Sequence, residues 1–164
     1  MRTQGLEEGA VTNFPARIPP VVDAEDLQSY LAGSWRLSRQ LQDRATGTTG
    51  QFDGAVSFTR NDSGLLHFES GVLAWGGHGH VPATRQLSWL PTSCPWAADV
   101  RFEDGRPFHH LDLSSGMDRP IHDCQPDVYR GHFQLLGPDE WKYQWEVAGP
   151  RKDLLLVSRL VRNP

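Results

Sequence analysis

From Gly33 to the C-terminus, apolar and polar residues alternate with a period of two, in short runs separated by turn signals. This constrains the fold more than any other feature. In a strand, successive side chains point to opposite faces, so each run has one face for a core and one for water. Trp35, Leu37, Arg39 and Leu41 share a face, and Phe52, Gly54, Val56 and Phe58 share the next. After the Asn61-Asp62-Ser63-Gly64 turn, Leu65, His67, Glu69 and Leu73 lie opposite Leu66, Phe68 and Val72. The pattern continues through Val81–Trp89, Val100–Phe102, Phe108–Leu113, Tyr129–Leu135, Trp141–Val147 and Lys152–Arg162. About nine short strands at hairpin spacing, with no strand–helix alternation, predict an all-β sandwich or barrel. Ser114–Pro126, with Gly116, Pro120 and Pro126, is the longest irregular stretch.

One helix precedes the strands. Asp23 is positioned to cap a helix over Ala24–Leu31, and Gly33 ends it. The expected division is a flexible leader over residues 1–22 and one barrel domain over 23–164. A chain of 164 residues suits one domain. The net charge of −4, with no basic stripe, argues against a nucleic-acid partner. No apolar run approaches the length of a membrane span, and Met1–Pro20 has no signal-type apolar region. These features predict a cytoplasmic protein with Cys94 and Cys124 as free thiols, a disulfide between them remaining an alternative.

Gly33-Ser34-Trp35 opens the first strand directly after the helix, and the last strand carries Arg159 and Arg162. In lipocalin-like barrels a Gly-x-Trp at this place lays an indole across one end, and an Arg of the last strand packs on it. The chain therefore resembles the calycin group. A second resemblance rests on Phe108-His109-x-Leu111-Asp112, His122-x-Cys124-x-x-Asp127-x-Tyr129 and Trp141-x-x-x-Trp145-x-Val147-x-Gly149-Pro150-x-Lys152. This pattern is similar to a family of small bacterial proteins of unknown function. It implies a calycin-like fold and supplies no catalytic residues. The expected architecture is a single antiparallel calycin, lipocalin-like β-barrel with a short N-terminal helix. Trp35 and a C-terminal Arg would plug one end, and the other would open under Ser114–Pro126.

The candidate site residues follow from alternation. Arg85 shares a face with Leu87 and Trp89, and a buried guanidinium needs a carboxylate or a ligand anion. Arg85 is thus an anion anchor or the partner of Glu69 or Asp112. His109 and His110 are adjacent, so one faces inward, and His109 is preferred. His122, Cys124, Asp127 and Tyr129 form the densest reactive cluster. A His122–Asp127 pair could orient an imidazole as base, with Tyr129 as proton donor. Trp89, Cys124, Tyr143 and Trp145 are candidates to line a ligand site.

These residues leave three functions open. The first is a cofactor-independent acid/base enzyme of lyase, cyclase or isomerase type, acting on a small planar or anionic ligand through His109, His122, Asp127 and Tyr129. The second is a non-catalytic ligand-binding protein. The third is a transition-metal barrel using His109, His122 and Cys124. No cofactor is favoured, the small molecule is the expected partner, and monomer and dimer both remain open.

Overall fold

The computed structural model describes residues 22–164, so the expected leader lies almost wholly outside the described residues. Val22, the first of them, already packs against the core. Helix α1 is short, Leu27–Leu31. Its cap is Asp26, three residues beyond the expected Asp23: the Asp26 carboxylate accepts from Ser29 N–H at 2.7 Å. Leu27 N–H is already taken by the Pro95 carbonyl at 2.9 Å, which pins the start of the helix to the barrel.

Eleven strands follow: β1 Gly33–Asp43, β2 Thr49–Asn61, β3 Gly64–Trp75, β4 His80–Pro91, β5 Ala97–Phe102, β6 Pro107–Asp112, β7 Met117–Asp118, β8 Ile121–Cys124, β9 Asp127–Gly137, β10 Glu140–Ala148 and β11 Asp153–Arg162. The order is β6-β5-β4-β3-β2-β1-β11-β10-β9-β7, with β8 also on β9. This is a nearly closed antiparallel, calycin-like barrel with one short helix. The two strands beyond the expected nine are β7 and β8, from the stretch read as irregular. Pro120 divides them, which hides their alternation. That stretch does not overhang the open end. It runs up the wall beside β9, pairing Met117 with Gln134 and His122 with Tyr129.

The two ends differ. At the helix end, Leu27, Tyr30 and Leu31 are buried over Trp35. The Trp35 indole donates to the Leu31 carbonyl at 2.8 Å, and the Arg162 guanidinium lies 4.2 Å from the Trp35 ring centroid. Arg162 is the plugging arginine. Arg159 lies outside the barrel, bonded to Glu140 at 2.6 Å. At the other end Leu41, Leu73, Ala83, Tyr129 and Leu156 are only partly buried. Cys94 and Cys124 are both free.

The wall is incomplete along one side. Among the described strands β6 forms a ladder only with β5, and across the seam its Asp112 N–H donates to the Asp118 carboxylate of β7 at 2.8 Å. β4 bonds to β5 only over Leu87–Pro91, so among the described strands Val81–Gln86 has no partner on that side. β5 is thus paired with β4 up to Phe102, opposite Leu87, and the β5–β6 hairpin ends there, leaving the first half of β4 beyond its tip.

Candidate functional site

The interior is filled at the helix end and polar in the middle. Trp35, Phe58, Trp89 and Trp141 pack edge-on or tilted with centroids 5.5–6.3 Å apart. Trp89, expected to line a ligand site, belongs to this packed half, and its indole N–H is committed to His67 Nδ1 at 3.1 Å.

Next outward comes a buried polar layer. β1 and β11 place Arg39 opposite Ser158, and β10 places Tyr143 opposite Ser158 on the far side. Arg39 donates to Ser158 Oγ at 2.8 Å, to both Glu69 oxygens at 2.6 and 3.1 Å, and to Tyr143 Oη at 2.7 Å. Its guanidinium also faces the Phe52 ring at 5.5 Å. Gly54 and Gly71 face each other here, and a Cβ on either would strike the Phe52 ring within 3.0 Å. Burial opposes ionisation of Glu69, but the N–H groups of His67 and Arg39 aimed at it hold its carboxyl down at about 2. Burial lowers the His67 pKa. Because Nδ1 accepts from Trp89, the neutral ring carries its proton on Nε2, 3.6 Å from Glu69 and without a hydrogen-bond partner.

Sequence reasoning passed over this layer. The signal was available: Arg39 alternates with Trp35 and Leu37, and His67 and Glu69 alternate with Leu65, so opposite charges occupied core faces. The pairing also corrects the expected partners of Arg85. Glu69 is taken by Arg39, and the Asp112 carboxylate accepts from Ser114 N–H and Oγ at 2.9 and 2.6 Å.

Arg85 lies opposite Glu69 on the neighbouring strand and is half-buried. Among the described residues it makes no hydrogen bond and no ion pair. Its guanidinium lies 5.3 Å from the Phe108 ring centroid. Phe108 is the middle ring of a stack, 4.5 Å from Phe102 and 5.1 Å from Trp145. Trp145 lies over Gly131, where a Cβ would meet its ring at 2.9 Å. An open cavity of about 510 Å³ adjoins Arg85 between β4 and the hairpin tip, with Leu87, Phe102, Glu103 and the Asp104–Arg106 ion pair on its walls.

A bulge places His109. Val100 pairs with His109, but Arg101 pairs with Pro107, so Phe108 is an extra residue in β6. Phe108 and His109 are consequently both buried, while His110 is exposed and bonded to Asp99 at 2.8 Å. The bulge is why both faces of this run held apolar residues. The His109 ring sits among Phe108, Trp145 and Phe133 at 4.8–5.4 Å. Burial, reinforced by the positive charge of Arg85, holds its pKa down at about 4. His109 is therefore neutral at pH 7.

His122 packs edge-on against Phe108, Phe102 and Tyr129 at 5.1, 5.6 and 5.7 Å and bridges the seam between the β5–β6 hairpin and β9. The expected His122–Asp127 pair does not form. Asp127 is held by Lys152 at 3.0 Å under the β10–β11 turn. A Cβ at Gly149 would overlap that carboxylate, so the glycine makes room for the ion pair. Cys124 is exposed at the β8–β9 turn. His109, His122 and Cys124 form no ligand set, and among the described residues no three His, Cys, Asp or Glu side chains converge on one point. Tyr143 is buried in the polar layer with Phe133 stacked on it at 4.9 Å.

Several of the expected residues thus meet on one side of the open half: Arg85, His109, His122, Tyr129 and Trp145. Asp127, Cys124 and Trp89 do not join them. No helix among the described residues is long and apolar enough to cross a membrane.

The fold has relatives among solved structures. The S-type phycobiliprotein lyase CPES from Guillardia theta superposes with a TM-score of 0.61 at 10% identity, over 84% of this chain and 90% of that one. A protein of unknown function of the DUF3598 family from Nostoc punctiforme superposes with a TM-score of 0.56 at 12% identity, over 90% of this chain. The match spans about half of that longer protein, 53%. At these identities the likeness concerns the fold alone. No functionally curated protein matches the sequence significantly. The family model described as "Family of unknown function (DUF6314)" matches residues 31–162, and the chain is a member of that family.

Proposed function

We propose that this barrel binds a small planar anion beside Arg85, in the cavity between β4 and the tip of the β5–β6 hairpin. One observation carries the reading: Arg85 is a half-buried guanidinium on the inner face that makes no ion pair among the described residues, the nearby Asp104 being paired with Arg106. A cation removed from bulk water favours an anionic partner. The Phe102 ring on the cavity wall suits a planar ligand, and Phe108 and Trp145 stack behind it. A similar barrel serves as a phycobiliprotein lyase in Guillardia theta, which agrees with a ligand-handling fold; the residues themselves point to the anion.

The finer reading is acid/base catalysis on that ligand. His109, neutral at pH 7, accepts a proton from a bound acid, and Tyr129 and His122, packed against the same Phe108 and Trp145 rings, return one. An anion next to His109 raises its pKa toward neutrality, so binding itself turns on the base. With Asp127 committed to Lys152, His122 works without a carboxylate behind it.

The test uses 8-anilinonaphthalene-1-sulfonate as a planar anion and N-phenyl-1-naphthylamine as its neutral analogue. The expected result is saturable one-to-one binding of the anion, weakened about tenfold or more by Arg85→Ala, which corresponds to ~1.4 kcal/mol. The neutral probe should change by less than about twofold. Equal anion affinity in Arg85→Ala, with near-UV circular dichroism unchanged, overturns the reading. Native mass spectrometry after incubation with a cell extract separates the finer alternatives. A bound molecule released unchanged favours binding alone. A new product mass that disappears in His109→Gln favours catalysis.

A further inference from the structure

A second surface is unexplained by any ligand site. The outer face of β2, β3 and β4 is almost free of charge. Along β3 its outward row is Leu66, Phe68, Ser70, Val72 and Ala74, with Phe68 and Val72 exposed by 42% and 43%. Register places Ala55 and Thr84 either side of Ser70, and Ser57 and Gln86 either side of Phe68. Asp53, beside Val72, is the one charged residue in these rows. The outer face of β9, β10 and β11 is different in kind, with Arg130, Lys142, Glu146 and Arg159 along it.

Phe68 and Val72 stand exposed in one uncharged row, and a contiguous apolar patch of this kind marks a contact surface. The row itself indicates the occupant. It is symmetric about Ser70: an apolar pair on one side, an apolar pair on the other. A twofold axis through Ser70 and across the strands lays Phe68 of one copy on Val72 of the other, twice. An isologous contact also sets residues near the axis against their own kind, where charges would repel. Here those residues are uncharged.

We propose that two copies of this chain pair face to face through the outer surface of β2–β4, with Ser70 on the axis. Nine residues of β3 and three strands span roughly 27 Å by 14 Å, or about 400 Å² of flat footprint per copy. The roughly 800 Å² in total lies below the size of a stable interface, so the dimer is a weak, transient one that forms at high micromolar concentration.

Sedimentation velocity on the full chain, from about 1 to 300 µM, tests this. The expected result is a concentration-dependent shift from the 18.4 kDa monomer to twice that mass. Phe68→Glu should weaken association about thirtyfold or more, and Phe68→Leu by no more than about threefold. Should Phe68→Glu fail to fold, Val72→Arg replaces it. Independently, Ser70→Cys in a Cys94→Ser/Cys124→Ser background should give a disulfide-linked dimer under mild oxidation, because the two thiols meet on the axis. A protein that stays monomeric at about 300 µM overturns the proposal. So does a dimer that tolerates Phe68→Glu and leaves Ser70→Cys uncrosslinked.

Discussion

Two arginines lie on aromatic rings at the two ends of this barrel, and they are held very differently. Arg162, over Trp35, also bonds Asp139 at 2.9 Å and the carbonyls of Tyr30, Pro138 and Ala32 at 2.8–3.3 Å. Its donors are used by the protein, and it fastens the last strand to the helix. Arg85, over Phe108, has the ring and nothing else. The same cation–π contact is a structural joint at one end and an unfilled half-site at the other. What separates them is whether the guanidinium's hydrogen bonds are spent. Arg39, deeper in, is the saturated extreme.

The largest effect that tests this distinction is at Arg39. Arg39→Ala leaves Glu69 charged, buried and unpaired, at a cost of about 3–5 kcal/mol in urea unfolding. The double change Arg39→Leu/Glu69→Leu removes both charges and should recover most of that loss. If the single change costs less than about 1 kcal/mol, a saturated guanidinium is not what holds the middle of the barrel.

pH gives the next largest effect. Burial holds the folded pKa of His109 at about 4, against about 6.5 unfolded. Between these values the unfolded chain binds more protons, so stability rises with pH. The contribution is complete above about pH 6.5 and is lost as pH falls through about 4. Each pKa unit corresponds to ~1.4 kcal/mol, which puts the His109 share at about 3–4 kcal/mol. His67, also lowered by burial, adds in the same direction. His109→Gln should flatten unfolding free energy between pH 4 and 6.5. An unchanged slope in that variant means the ring is not buried as a neutral imidazole.

The closed end was readable in the sequence and the open end only in part, for a physical reason. The Trp35–Arg162 joint depends on a short motif and on strand alternation, both local. The strand count and the inner face of β6 depend on interruptions of alternation: Pro120 cuts β7 from β8, and the Phe108 bulge turns two successive residues inward. Which of Arg39 and Arg85 takes Glu69 depends on rotamers across two strand pairs, which a period of two does not encode. Likewise His122 and Asp127 looked adjacent along the chain. Lys152, from the far side of the β10–β11 turn, claims the carboxylate.

Arg162→Ala comes third. It removes a cation–π contact and uncaps several carbonyls at a partly exposed site, for a loss of about 2 kcal/mol. The matching change at the other end, Arg85→Ala, should alter stability by no more than about 1 kcal/mol, because only the cation–π contact is lost. A loss at Arg85 as large as that at Arg162 would make both arginines joints and remove the basis for a ligand site.

The smallest effect separates the two arginines without a ligand. The positive charge of Arg85 helps hold the His109 pKa down. Arg85→Ala should therefore raise it from about 4, in an NMR titration of the imidazole protons, while Arg162→Ala leaves it unmoved. Adding a planar anion to the unsubstituted protein should raise it in the same direction, because the anion neutralises the same charge. Once Arg85 is gone, the anion should no longer shift it. A His109 pKa that ignores both the substitution and the anion would place Arg85 and His109 in separate environments, and the open end would then hold a cation and an imidazole that share no chemistry.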